Sequence, residues 1–305
     1  MRVAAARYAI GMPPDFDAFA AHQRRLLGDA AAQGARMAVL PEYLALELAA
    51  TFDDSVRGDT LASLAAVQRY RDDWLTLFAG LARDTGMHIV AGSFLVDIGG
   101  GRYRNRSDMF SPDGGHGWQD KLQLTGFEKK TGVIEAGDTL KVFDIGGVRA
   151  GIAICYDIEF PLLARTQWEA GARLLLVPSC TDTAAGATRV RVGCLARALE
   201  NRCFVAQSVT AGDAPWTPIL DVNTGTAGLF APMDAGFPSD GVLVETGDAD
   251  VWAIADLDVD ALEAARGDAQ VDNDRDWVGQ VRPALARAVL ASFESPLQFS
   301  CGVKT

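Results

Sequence analysis

The stretch VRAGIAICYDIEFP, residues 148–161, carries the signals around which we interpret the rest of the sequence. Its first seven residues are mostly small or apolar and have the length of a buried β-strand. Cys155 follows where this run stops, and Pro161 favours the start of a helix just beyond it. A cysteine held there lies near the positive end of a helix dipole, which favours a thiolate. By itself the stretch leaves two interpretations of Cys155 open, a nucleophile or a buried core residue.

The composition of the 305-residue chain is that of a globular protein with a sizeable core, with 49% hydrophobic and 22% charged residues. The formal net charge of −12 argues against nucleic acid or an anionic membrane as a partner. No long linker, repeat or low-complexity tract divides the sequence. We therefore predict one domain over residues 1–265, followed by a tail over residues 266–305 that packs on the domain or at a dimer interface.

The first residues and the cysteines indicate the compartment. Met1 leads directly into a strand-like segment without a charged-then-apolar leader, and no apolar run approaches the roughly 18 residues of a membrane span. We therefore expect a cytoplasmic protein. The five cysteines include no Cys-x-x-Cys pair, which argues against a disulfide framework or a zinc cluster and favours reduced thiols. They are Cys155, Cys180, Cys194, Cys203 and Cys301.

Hydrophobic periodicity predicts alternating strands and helices over most of the chain. Residues 37–40 are typical of a buried strand, whereas residues 16–33 and 61–85 have helical spacing. Three successive glycines at 99–101 predict a hairpin turn. Because strands alternate with helices in one part of the chain and pair as hairpins in another, we predict an α/β layered fold with a mixed sheet.

The histidine count restricts the chemistry open to Cys155. There are only three histidines, His22, His88 and His116, and we interpret all of them as structural or surface residues. A Cys–His dyad or a Ser–His–Asp triad would need one of them beside a nucleophile. The sequence has no G-x-S-x-G elbow and no metal-ligand spacing between these histidines and a cysteine. The base for a Cys155 nucleophile would therefore have to be a different residue.

Glu42 is the first candidate for that base. It follows the strand predicted over residues 37–40 as Cys155 follows its own strand, so both side chains can project from the same edge of one sheet. Partial burial there would raise the pKa of Glu42 toward neutrality, as a general base requires. The alternative is a carboxylate in a surface turn.

Lys121 is the second candidate partner of Cys155. A lysine ammonium near the cysteine would favour the thiolate and hold a developing oxyanion, although most lysines are solvated surface groups. Glu128 lies seven residues further along the chain, where it could brace Lys121 or contact a substrate amine.

These candidates lie in motifs that occur in a fixed order. The motifs are Val39-Leu-Pro-Glu42-Tyr, Lys121-Leu-Gln-Leu, Gly151-Ile-Ala-Ile-Cys155-Tyr-Asp, Glu159-Phe-Pro161 and Ala196-Arg-Ala-Leu-Glu200-Asn. Taken together they resemble the nitrilase superfamily of carbon–nitrogen hydrolases, over roughly residues 1–260. The resemblance implies an α-β-β-α sandwich with mixed sheets. It also implies a Glu-Lys-Cys triad of Glu42, Lys121 and Cys155, with Glu128 as the second glutamate of the family.

Two positions depart from the family's usual pattern. Glu159 stands where many members carry an arginine, and Leu162 replaces an acidic residue that often follows the proline. With these departures the chain is similar to a less characterised, amidase-like branch of the superfamily. They concern the identity of the substrate rather than the chemistry of the triad.

The resemblance implies hydrolysis of a non-peptide C–N bond in a small carboxamide, through a thioester on Cys155. Nitrile hydrolysis or N-acyl transfer by the same triad is the first alternative, and a non-catalytic sensor or scaffold is the second. We expect a small-molecule substrate, no cofactor, no metal, no nucleic acid and no membrane. A homodimer or a higher homo-oligomer is expected from the resemblance.

The residues that would contact the substrate are less constrained. Several follow the ends of predicted strands and could line a pocket, although core packing explains each equally well: Tyr43, Phe127, Tyr156, Ser179, Cys180 and Thr181. Arg189 and Arg191 could bind a substrate carboxylate, with exposed helix arginines as the alternative.

Overall fold

The computed structural model describes residues 1–291, in which fifteen β-strands form one continuous, curled sheet. The strands are β1 (Arg2–Ala9), β2 (Met37–Val39), β3 (His88–Val90), β4 (Phe94–Gly99), β5 (Arg102–Phe110), β6 (His116–Asp120), β7 (Ile134–Glu135), β8 (Val142–Ile145), β9 (Val148–Ile152), β10 (Leu174–Ser179), β11 (Phe204–Asp213), β12 (Val222–Asn223), β13 (Gly228–Phe230), β14 (Val242–Glu245) and β15 (Trp252–Asp256).

Nine α-helices accompany the strands within the same residues. They are α1 (Phe16–Ala32), α2 (Asp54–Arg57), α3 (Thr60–Val67), α4 (Arg71–Thr85), α5 (Gly126–Thr131), α6 (Pro161–Glu169), α7 (Ala184–Asn201), α8 (Val259–Ala264) and α9 (Asn273–Asp276). Short 3₁₀ helices connect them, including Leu44–Thr51 after β2 and Cys155–Glu159 after β9.

Parallel strands form the centre of the sheet in the order β3, β2, β1, β11, β10 and β9. Antiparallel strands extend it on both sides, with β5, β4 and β6 beyond β3 and with β8 beyond β9. The central strands read as nearly continuous apolar runs because both of their faces are covered. Since these strands are parallel, the chain leaves β2 and β9 at the same edge of the sheet, which is where Glu42 and Cys155 follow.

The sheet curls so that its two halves pack face to face. Side chains of β1 alternate between two hydrophobic clusters, with Ala4 and Ala6 in one and Val3 and Ala5 in the other. The first cluster includes the apolar faces of α1 and α4. The second contains residues of both sheet halves together with residues of α6 and α7. The expected α-β-β-α sandwich with a mixed sheet is therefore confirmed.

The predicted hairpin turn at residues 99–101 is confirmed by the antiparallel pairing of β4 with β5. The prediction of one long helix over residues 61–85 is wrong, because two helices occupy this segment. A 3₁₀ turn separates α3 from α4, and it contains Gln68. The Gln68 amide donates to the carbonyl oxygens of Leu64 at 2.8 Å and Leu95 at 2.7 Å, and it accepts from the Asp97 amide at 3.0 Å. These bonds tie the turn to β4 and account for the interruption.

The described part of the predicted tail, residues 266–291, begins on the domain surface. Arg266 pairs with Asp272 and with Asp274, and the Asp274 carbonyl accepts from the buried Arg165 of α6. The remainder of the predicted tail, residues 292–305, lies outside the described residues. Within residues 1–291, no helix combines the length and the apolarity needed to cross a bilayer.

Candidate active site

Four side chains converge at the edge of the sheet where the central parallel strands end. Glu42 lies three residues after β2, Lys121 directly follows β6, Cys155 lies three residues after β9, and Glu128 belongs to α5. All four are buried, with Cys155 the most accessible at 4%. The structure thus brings together the four residues that the sequence analysis placed in the catalytic set.

Lys121 lies between two carboxylates. Its Nζ is 2.8 Å from Oε1 of Glu42 and 2.8 Å from Oε2 of Glu128. Glu42 Oε1 also accepts from Nδ2 of Asn105 at 2.8 Å, and its Oε2 accepts from the backbone amide of Cys180 at 3.1 Å. A buried ion pair is favourable only when its remaining polar atoms are satisfied. These contacts satisfy both oxygens of Glu42 and fix the orientation of its carboxylate.

Glu128 is the second carboxylate that holds Lys121. Its Oε1 accepts from the Tyr43 hydroxyl at 2.7 Å and from Asn105 at 3.2 Å. Its Oε2 accepts from the backbone amide of Thr125 at 2.8 Å, as part of the capping box that starts α5. Glu128 does not line the cavity described below. The geometry therefore favours bracing of Lys121 over contact with a substrate amine.

The three charged groups shift one another's proton affinities. Burial raises the pKa of Glu42, and the nearby Lys121 ammonium opposes this only in part. Burial would also raise the pKa of Glu128, but Lys121 and the hydrogen bonds from Thr125 and Tyr43 hold it below its ordinary value. Burial would lower the pKa of Lys121, yet the two carboxylates raise it well above its ordinary value. Glu42 is therefore the carboxylate of this pair that is better suited to accept a proton.

Burial and the neighbouring carboxylate oppose the Cys155 thiolate that the helix dipole favours. Burial raises the pKa of Cys155 well above its ordinary value, and the Glu42 charge adds to the effect. Lys121 acts in the expected direction but is outweighed. The Sγ atom lies 3.5 Å from the carbonyl oxygen of Cys180, to which the thiol donates. A base is needed to ionise such a thiol, and Glu42 is adjacent to it.

The backbone at the nucleophile position is held by Asp157. Cys155 has φ of 49°, in the left-handed region that costs a non-glycine residue on the order of 1–3 kcal/mol. Asp157 Oδ2 accepts from the amide of Ile154 at 3.2 Å, and Oδ1 accepts from the amides of Leu122 at 3.1 Å and Gln123 at 2.7 Å. One carboxylate therefore links the segment before Cys155 to the segment after Lys121.

The site opens onto a cavity of about 280 Å³. Glu42, Lys121 and Cys155 contribute to its wall. Five of the predicted substrate-binding residues also line it, namely Tyr43, Phe127, Tyr156, Cys180 and Thr181. Glu159 also lines the cavity. The sequence analysis did not predict the other residues of the wall, which include Asp182, Val190, Pro218, Ile219, Asp221 and Val222.

Two candidate residues lie elsewhere. The structure does not bring Ser179 to the cavity; it is the last residue of β10, fully buried, and its hydroxyl donates to the Val177 carbonyl at 3.3 Å. A strand-end position did not reveal which face Ser179 occupies. Arg191 pairs with Glu245 on another face of α7, while Arg189 lines the cavity.

Two contributors to the site, Asn105 and Asp157, were missed. Asn105 lies on β5 among alternating polar residues, and nothing local distinguishes it from its neighbours. Asp157 was visible two residues after Cys155, but its partners at Leu122 and Gln123 are distant in sequence. None of the three histidines lines the cavity, and residues 1–291 contain no group of three or more side chains arranged to hold a metal.

Comparisons with known proteins agree with this geometry. A family model described as carbon-nitrogen hydrolase matches residues 2–251. The probable hydrolase YhcX of Bacillus subtilis is 34% identical over 87% of this chain, which spans about half (51%) of that relative. The omega-amidase NIT2-A of Xenopus laevis is 27% identical over 62% of this chain and 67% of its own length.

Solved structures with the same fold include Nit3 of Saccharomyces cerevisiae, described as a member of branch 10 of the nitrilase superfamily. It matches with a TM-score of 0.70 at 19% identity, covering 90% of this chain and 96% of Nit3. An amidase from Nesterenkonia sp. matches with a TM-score of 0.64 at 23% identity, over 91% of this chain and 96% of its own. These likenesses support the fold, and the family model covers most of the sequence. The chain belongs to the carbon-nitrogen hydrolase family.

Proposed function

We propose that the protein hydrolyses a small carboxamide through a thioester on Cys155. The observation that carries this proposal is the position of Glu42, ion-paired with Lys121 at 2.8 Å and lining the same cavity as Cys155, whose thiol pKa is raised by burial. A nucleophile, a base and a fixed cation therefore meet at one end of a small-molecule cavity.

In the first half of the reaction, Sγ of Cys155 attacks the amide carbonyl carbon while Glu42 takes the thiol proton. The Lys121 ammonium and the backbone N–H of Tyr156 hold the resulting oxyanion, at about 3 kcal/mol for each well-placed donor. Glu42 then passes its proton to the amide nitrogen as the C–N bond breaks. Ammonia or an amine leaves, and the acyl group remains on sulfur.

In the second half, water attacks the thioester carbonyl and gives a proton to Glu42. The tetrahedral intermediate collapses, the C–S bond breaks, and Glu42 returns the proton to sulfur as the carboxylic acid is released. Glu128 acts as a positioning residue in both halves, because its Oε2 holds the Lys121 ammonium at 2.8 Å. The raised pKa of Glu42 suits a group that must accept and return a proton in each half.

The test is an ammonia-release screen over small carboxamides, N-carbamoyl compounds and nitriles, with purified Cys155→Ala as the comparison. We expect Cys155→Ala to lose activity completely, whereas Cys194→Ala, which truncates a fully buried cysteine of α7, keeps it. An active Cys155→Ala protein would disprove the proposal.

Product analysis in the same screen separates the alternatives. An amide and a nitrile both yield the carboxylic acid and ammonia, so these two activities are distinguished by which of the two compounds is consumed. An acyl group that appears on an added amine would indicate transfer. A chain that only senses or scaffolds would produce none of these, and Cys155 would then react with alkylating agents no faster than Cys194.

A further inference from the structure

We propose that the cavity selects amides whose acyl part carries a cationic group, an ammonium or a guanidinium. This inference rests on the proposed function, since it assigns a substrate class to the same site. The cavity is identified as a ligand site independently, by the nucleophile, the base and the lysine in its wall. What remains to be explained is the charge of the rest of the wall.

The wall carries four carboxylates and two cations. The carboxylates belong to Glu42, Glu159, Asp182 and Asp221, and the cations to Lys121 and Arg189. Lys121 is already held between Glu42 and the buried Glu128, so it offsets none of the charge near the entrance. The outer part of the cavity is therefore the part in which acidic groups are in excess.

Arg189 is a weak counter-ion for this excess. Its side chain is 61% exposed, and its Nε is 3.5 Å from Oε1 of Glu159 in the only ion pair that either residue makes within residues 1–291. A single-contact pair with such an exposed partner contributes little, because the Arg189 side chain remains solvated.

Asp182 and Asp221 have no cationic partner within 4.0 Å in the part of the chain that the structure describes. Asp221 Oδ1 accepts only from the amide of Val222, at 2.9 Å. Both residues line the cavity and are exposed, and neither carboxylate is offset by an ion pair within the described residues. They would attract a cation and repel a second carboxylate.

The apolar wall fits the same class of ligand. Phe127 is 42% exposed and lines the cavity together with Tyr156 and Ile219. Aromatic faces attract ammonium and guanidinium groups, and the methylene chain that joins such a group to an amide needs apolar walls. A short ω-amino or ω-guanidino carboxamide would place its amide at Cys155 and its cation near the entrance.

Charged thiol reagents test the cavity without requiring turnover. Trimethylammonioethyl methanethiosulfonate and sulfonatoethyl methanethiosulfonate both form a mixed disulfide with a thiol and release methanesulfinate. We expect the cationic reagent to modify Cys155 at least about tenfold faster, after normalisation to glutathione, with the preference falling as salt rises from 0.05 to 1 M. Equal rates, or a faster anionic reagent, would overturn the inference.

The variant for this test is Asp182→Asn with Asp221→Asn, which removes two charges and little volume. We expect it to reduce the reagent preference several-fold. The matched control is Asp17→Asn with Asp84→Asn, which removes two exposed carboxylates from α1 and α4 and should leave the preference unchanged. A preference that the first pair does not alter, or that both pairs alter equally, would contradict the role of the cavity carboxylates.

Isosteric amides then test the substrate class. 5-Aminopentanamide, hexanamide and glutaramate share an amide at the end of a short chain and differ in the charge at the other end. We expect kcat/KM to be about tenfold higher for cationic 5-aminopentanamide than for neutral hexanamide, and about tenfold higher for hexanamide than for anionic glutaramate. If the neutral or anionic amide is the best substrate, the inference fails and the proposed function stands. If Cys155→Ala keeps the activity, the proposed function fails as well.

Discussion

We expect Gly92→Ala to lower activity by displacing Glu42. Gly92 has φ of +65°, and a Cβ built there lies 2.2 Å from the carbonyl oxygen of Pro41, the residue before Glu42. An ordinary contact requires about 1 Å more, and the obstacle is backbone that no rotamer change can remove. The Pro41–Glu42 segment must therefore move by about that distance. A 1 Å misplacement of a catalytic group costs on the order of 100-fold in rate.

Gly100→Ala is the matched control for this substitution. Gly100 has φ of +64° and open space around the added Cβ, so both variants carry the same backbone cost of about 1 kcal/mol. We expect Gly100→Ala to keep amidase activity, and Gly92→Ala to lose about 100-fold in kcat/KM in the ammonia-release assay. Urea unfolding of both proteins would measure the additional loss of stability at position 92. Equal activity of the two variants would refute the reasoning that Pro41 transmits the clash to Glu42.

Three further predictions concern buried polar groups. The pKa of Glu47 is raised to about 7 by burial, so between pH 4.5 and 7 the folded chain binds a proton that the unfolded chain does not, and stability falls as pH rises. Glu47→Gln has no carboxyl group to titrate at this position, so it does not lose stability in this way as pH rises. We expect it to be more stable than wild type by about 3 kcal/mol at pH 8 and about equally stable at pH 5. Parallel curves of unfolding free energy against pH for the two proteins would contradict this. Tyr43→Phe removes the 2.7 Å hydrogen bond to Glu128, and we expect kcat to fall about tenfold with little change in KM; unchanged kcat would exclude this bond from positioning Lys121. Asp157→Asn places an amide NH2 group against the backbone N–H of Ile154, Leu122 or Gln123, which breaks one of the bonds that hold the backbone beside Cys155. We expect alkylation of Cys155 to slow about tenfold. Asp108→Asn also alters a buried carboxylate and should leave the alkylation rate unchanged.

The order of motifs predicted the fold and the four central site residues because short apolar runs and strand-end positions are encoded locally. The end of the run at residues 148–154 marks the place of Cys155, and the strand end near residue 40 marks that of Glu42. Parallel strands then bring these positions to one edge without any further sequence signal.

The features that the sequence did not predict depend on distant partners. The helical spacing over residues 61–85 continues without a breaker, and the interruption arises from Gln68 bonding to β4. Asn105 matters because it donates to both Glu42 and Glu128, which approach it only in the folded chain. The protonation of Cys155 depends on the balance of burial, Glu42 and Lys121, and a dipole argument from the next helix could not supply that balance.

The most direct test of the central claim is intact-protein mass spectrometry of the wild-type protein, quenched in acid during turnover of a substrate amide. We expect a mass increase equal to the acyl group, sensitive to hydroxylamine as a thioester is, located by peptide mapping on Cys155 and absent from Cys155→Ala. Turnover without such an adduct in rapidly quenched samples, or an acyl group mapped to another residue, would contradict it.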